Sequence, residues 1–192
     1  MHIYNGTKSL LNNANKGNIV ALDIGFAKHE NRSCGVALWK DDAIQSWNSP
    51  YGELISFCCD WPTEELHLIV EAPLFFVFDD NGNPAGRMLF EDPSHYWYLQ
   101  TGVTEAFSTL NLFLELSKSG ITYRLFVYEG YLPHFGERQP HALDAAGLLA
   151  AAMRKQNIIQ YERTEFKGIV RSIHYYIGLA EMDNLPPVIQ PL

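Results

Sequence analysis

Short, continuous apolar runs alternate with amphipathic stretches along this chain, and three of the runs end in an acid. In Asn18-Ile19-Val20-Ala21-Leu22-Asp23-Ile24-Gly25 the apolar side chains are Ile19 to Leu22 and Ile24. A short apolar run closed by glycine predicts a strand buried on both faces. Cys34 to Trp39 and Ala43 to Trp47, separated by Asp41-Asp42, predict two further strands that complete an antiparallel meander. Ser49-Pro50 reads as a helix start, with serine as N-cap and proline in the first turn, and the helix runs to about Asp60. Leu66 to Glu71 is a second buried run, and a helical crossover before it predicts parallel pairing with the first. Ile121 to Tyr128, followed by Glu129, is the third.

The remaining stretches are helical or irregular by pattern. Ser94 to Ser119 carries Ala106, Leu110, Phe113 and Leu114 on one face, with Gly102 as the point where the helix bends or divides. Pro140 to Gln156 is rich in Ala and Leu and has Arg154-Lys155 at its C-terminal end. Phe75 to Pro93 reads as a long irregular segment around the turn cluster Asp79-Asp80-Asn81-Gly82-Asn83-Pro84. Met1 to Gly17 reads as a loosely held polar arm, and a helix from about Phe166 to Leu179 with a Pro-rich tail ends the chain. The expectation is one α/β domain over residues 1–192, with its core at about 18–156 and an extension at 157–192.

Composition narrows the class. Apolar residues at 47% and charged residues at 19% describe an ordinary globular chain. No apolar run approaches the roughly 20 residues of a membrane span, and Met1 to Lys16 lacks the pattern of a secretory signal, so the expected compartment is the cytoplasm. Cys34, Cys58 and Cys59 form no C-x-x-C pair and read as free thiols. The net charge of −8 is uneven: between Asp41 and Glu137 there are 15 acidic and 3 basic residues. A protein that grips long nucleic acid usually carries a basic face, because phosphate neutralisation dominates affinity. This one has no strong basic face.

The chemistry sits where the strands end. In an open α/β sheet, ligands collect beyond the carboxyl ends of the parallel strands, which here would carry Asp23, Glu71 and Glu129. His141 and Asp144, at i and i+3, share one face of the Ala-rich helix near the C-terminal third of the chain. Each residue alone has an ordinary explanation as a turn, cap or strand-end group. Gathered at one edge, the acids would repel one another unless cations lay among them. Hard oxygen ligands suit Mg²⁺ or Mn²⁺, and two such ions about 4 Å apart form a clamp for attack of water on a phosphodiester.

The order of elements resembles the ribonuclease H-like fold: a mixed five-stranded sheet, three antiparallel strands then parallel ones, with helices on both faces. Leu22-Asp23-Ile24-Gly25, Val70-Glu71-Ala72-Pro73-Leu74 and His141-Ala142-Leu143-Asp144-Ala145-Ala146 are similar to motifs of its Holliday-junction-resolvase-like branch. Val127-Tyr128-Glu129-Gly130-Tyr131 with Pro133 is similar to a group of predicted, uncharacterised nucleases of that fold. The resemblance implies a metal-dependent nuclease or phosphodiesterase, with Asp23, Glu71 and Asp144 as ligands of Mg²⁺ or Mn²⁺. It makes His141 a further ligand or a proton-transfer group. Glu129 is carried over as a substrate-side residue, and Arg87 and Lys28 are candidates for contact with a phosphate. His29 lies beside Lys28.

The expected partner is nucleic acid or a small phosphorylated substrate, with long duplex DNA disfavoured by the acidic charge, no membrane, and a homodimer left open. Two alternatives stand beside the nuclease. One is a non-catalytic interaction module on the same fold, using Tyr96-Trp97-Tyr98 or Leu74-Phe75-Phe76-Val77-Phe78 as a partner surface. The other is an actin-like nucleotide binder, whose first strand also uses Asp-x-Gly but which needs two lobes.

Overall fold

A computed structural model describes residues 3–25, 34–85, 87, 101–132, 140–173 and 185–191. Its main sheet is built on β2 (Ile19–Ile24), every residue of which is buried. β2 pairs antiparallel with β3 (Cys34–Lys40) and parallel with β5 (Glu65–Glu71). β4 (Ala43–Ser49) lies antiparallel outside β3, and β8 (Arg124–Gly130) lies parallel outside β5. The order β4-β3-β2-β5-β8 is thus a mixed α/β sheet of the expected kind, consistent with a ribonuclease H-like fold.

Side-chain alternation divides the core in two. Leu22, Val70 and Val127 face a core shared with α2 (Tyr51–Cys59) and α3 (Thr101–Lys118). Ala21, Ile69 and Tyr128 face the other core, covered by α4 (His141–Arg154). Helices therefore pack on both faces. Among the described residues no helix is long and apolar enough to cross a membrane. Cys34, Cys58 and Cys59 are free, the first two buried.

Several boundaries differ from the pattern-based expectation, each for a physical reason. Ser49 is not the N-cap of α2: it pairs with Cys34 as the last residue of β4, and Pro50 takes the cap position without a side-chain bond. The supposedly irregular segment after Glu71 contains β6 (Phe75–Phe78) and β7 (Pro84–Ala85), an antiparallel hairpin. Asp79 closes its turn by accepting from the backbone N–H groups of Asn81 and Asn83 at 2.9 and 2.8 Å. Phe75 and Val77 point inward while Phe76 and Phe78 are half-buried, which is strand periodicity.

In the described part of the helix expected at about Phe166 to Leu179, the chain instead forms β10 (Ile169–Ser172), whose alternate residues Val170 and Ser172 are buried against β6, and 174–179 lie outside the described residues. Both ends of the chain join the main sheet. β1 (Ile3–Asn5) pairs with β8 at Leu125 to Val127, and β11 (Val188–Ile189) pairs with it at Glu129 and Gly130. The N-terminal arm, which continues as α1 (Lys8–Asn13), and the Pro-rich tail are therefore structural. β9 (Ile158–Ile159) borders β11. In α3 the buried line runs through Ala106, Thr109, Leu112, Phe113 and Leu116, while Leu114 is exposed; the part of the expected helix before Thr101 lies outside the described residues.

At the sheet end away from the acids, His67 is buried between aromatic rings. Its ring lies 5.1 Å from Phe126 and 5.8 Å from Tyr128, and its Nδ1 is 2.7 Å from the Tyr128 hydroxyl. Burial pushes His67 below its ordinary value, although Glu65, 3.6 Å from Nε2, pulls the other way. The folded protein thus resists a proton that the unfolded chain accepts below about pH 6.5. His67→Gln should therefore gain stability relative to wild type as pH falls from 6.5 to 5, by at most about 1.4 kcal/mol per pH unit. Urea denaturation at the two pH values measures the difference.

Candidate functional site

The site is laid out by one row across the sheet. Asp23 pairs with Gly35, and Gly35 pairs with Asn48, so the three share a row on the face covered by α4. Each member of the row has a use. The Asp23 carboxylate lies 2.6 Å from His141 Nδ1, and Asn48 Oδ1 accepts from the Ala142 backbone N–H at 3.1 Å, satisfying one of the open donors of the helix start. Gly35 makes room: a Cβ there would overlap the His141 carbonyl, and one on Gly25 would overlap the His141 imidazole. Two glycines and two polar side chains thus seat the first turn of α4 directly on the end of β2.

Alternation also decides which strand-end acids can meet. Glu71 comes directly after Val70, and Asp23 directly after Leu22; both therefore project to the α4 face. Glu129 pairs directly with Val70 and projects to the opposite face. Of the three acids expected at this edge, Asp23 and Glu71 thus lie on the α4 face and Glu129 on the other.

Asp23 and Glu71 are 3% and 2% exposed. The two carboxyl groups are hydrogen-bonded to each other, and Asp23, Glu105 and Asp144 act on Glu71 as negative charges. Two carboxylates cannot share such a bond without a proton between them. Burial first, then the surrounding acids, push Glu71 up to about 11, so Glu71 carries that proton. The Asp23 carboxyl thus lies between the His141 imidazole and the Glu71 carboxyl.

Glu105 is a site residue that the sequence pattern did not single out. It lies on α3, is buried, and shares the helix's inward line with Thr109, whose hydroxyl donates to the Glu105 carbonyl at 2.9 Å. A signal exists in the sequence: a carboxylate one turn before a buried Thr, on the side of the helix that carries Ala106 and Phe113.

Arg87 and Glu129, expected at the substrate, are instead bonded to each other. Arg87 Nη1 lies 2.7 and 2.9 Å from the two Glu129 carboxylate oxygens, with both side chains closed to solvent. Lys28 and His29, like Tyr96-Trp97-Tyr98, fall outside the described residues.

The donor chemistry of Asp23, Glu71 and Asp144, all oxygen and beside a further acid, suits a hard divalent cation. Among the described residues, however, no three such side chains stand spaced as a ready-made metal cage. No family model matches the chain, and neither a curated protein nor a solved structure matches it.

The retained proton has a measurable consequence. The folded state keeps a proton on Glu71 at pH values where the unfolded chain, titrating near 4.5, has lost it, so this group erodes stability as pH rises from about 5 towards 11. Glu71→Gln keeps a donor towards Asp23 without needing the proton. It should gain stability relative to wild type between pH 5 and pH 9, again by at most about 1.4 kcal/mol per pH unit. Denaturation midpoints across that range test the sign.

Proposed function

We propose that this protein is a Mg²⁺- or Mn²⁺-dependent phosphodiesterase or nuclease acting on short, single-stranded or small phosphorylated substrates. The observation that carries the reading is the group of buried Asp23, Glu71 and Glu105 with half-buried Asp144, beside His141 at the end of the central strand. So much negative charge out of water needs a proton or a cation to offset it. Asp23, Glu71 and Asp144 are the residues that would hold the metal. When bound, the metal supplies Lewis-acid polarisation of the phosphodiester and a hydroxide at neutral pH.

The chain's own residues do the rest. Glu71 would have to lose its proton to serve as a ligand, so loading would be coupled to pH. Asp23 is kept in place by His141 Nδ1 from one side and by the pairing of β2 with β3, Asp23 opposite Gly35, from the other. His141, 14% exposed at its side chain, is open enough to pass a proton between the site and solvent. The acidic balance of the chain weighs against long duplex DNA and in favour of a substrate with few phosphates.

A second reading, a non-catalytic interaction module, has one observation in its favour. Phe76, Phe78, Val103, Phe107, Leu110 and Ile173 line an apolar groove between the β6–β7 hairpin and α3, and Phe107 is 66% exposed. The two readings part at Asp23. As a nuclease, the wild type cleaves labelled single-stranded DNA or RNA with Mn²⁺ and not with EDTA, and Asp23→Asn lowers the rate at least 100-fold while leaving the thermal midpoint within a few degrees. Absence of metal-dependent cleavage of single strands and of small phosphodiesters alike would remove the enzymatic reading.

A further inference from the structure

Glu71 is the last residue of β5: it pairs with Gly130 on one side, and the chain turns away directly after it. The chain turns through Ala72 and Pro73, and β6 begins at Phe75. Between them Leu74 is gripped at both of its backbone groups. Its N–H donates to Glu129 Oε2 at 2.8 Å, and its carbonyl accepts from the Ile173 N–H at 2.7 Å. Glu129 is itself held by Arg87, whose guanidinium lies over the Phe75 ring at 4.7 Å. The backbone N–H of Glu129 donates to the carbonyl of Pro187, just before β11, tying the same residue to that segment.

A buried ion pair of this kind adds little net stability over well-packed apolar residues of the same volume, yet removing one partner is costly. What this pair does that an apolar pair could not is fix a backbone N–H three residues beyond Glu71. We propose that Glu129, oriented by Arg87, is a positioning residue for Glu71. From the opposite face of the sheet it clamps the Glu71-Ala72-Pro73-Leu74 turn and so aims the Glu71 carboxyl at Asp23. The inference deepens the reading of Glu71 as a metal ligand and rests on it for its functional consequence. The clamp itself rests on the hydrogen bonds alone.

The test compares full-length wild type, Glu129→Gln, Glu129→Ala and a control. Tyr123→Phe is the control: it deletes a buried hydrogen bond to the Cys58 carbonyl away from the turn, and so reports what mere loss of stability does. Two readouts are needed, Mn²⁺ affinity by calorimetry and the side-chain carboxyl carbon resonance of Glu71, assigned by its loss in Glu71→Gln.

Glu129→Ala should shift that resonance and weaken Mn²⁺ binding by 10- to 100-fold, the range typical of residues that orient a ligand. Glu129→Gln, which keeps an acceptor for Leu74, should lose less, and Tyr123→Phe should change neither readout. An unmoved resonance, or Mn²⁺ bound by Glu129→Ala as tightly as by wild type, would overturn the positioning role. If wild type binds no Mn²⁺, the metal reading fails and the resonance alone decides the clamp.

Discussion

The placement of negative charge at the carboxyl end of the central strand governs the rest of this molecule. Asp23 is nearly closed to solvent, and the Glu71 carboxyl beside it is equally so. Two ionised carboxylates in such a setting are untenable. The fold relieves the conflict by lodging a proton on Glu71 and setting the His141 imidazole against Asp23. In the function proposed, a divalent cation would take the place of that proton. The same electrostatic conflict therefore accounts for the closed, proton-bridged state and for the metal chemistry proposed.

Much of the architecture serves to bring α4 close enough for that bond. Asp23, Gly35 and Asn48 form a continuous row across three strands, and the first turn of the helix rests on it. The absence of a side chain at Gly25 and Gly35 sets the approach distance, and Asn48 fixes the helix start by capping Ala142. On the other face, Glu129 and Arg87 perform a parallel task for the turn after Glu71. The strand-end acids are thus divided by the two-residue period of a strand into one pair that meets at the site and one that holds its frame.

How far the sequence reveals this depends on the range of the interaction. The runs around Ala21, Ile69 and Val127 are buried on both faces, so their apolar continuity is visible without knowledge of neighbours, and the meander and α4 emerge from local pattern. Asp23, Glu71, His141 and Asp144 are legible because each ends or begins such an element. The short strands at Ile3, Val170 and Val188 are not, since two to four residues carry too little periodicity and their pairing partners lie far along the chain. Pattern alone misplaces Glu129 because strand ends mark an edge of the sheet but not a face; the face is settled only by its register against Val70. Glu105 escapes notice when the apolar line of α3 is traced through Leu110 and Leu114, whereas the buried line runs through Leu112 and Leu116.

The exchange of proton for cation can be measured directly. Calorimetric titration of the wild type with Mn²⁺ at pH 7, repeated in buffers of different ionisation enthalpy, counts the protons released on binding. The account predicts Mn²⁺ binding with release of about one proton from wild type, and with none from Glu71→Gln, because ligands must shed their protons to bind metal. Mn²⁺ binding without proton release, or no binding at all, would contradict it.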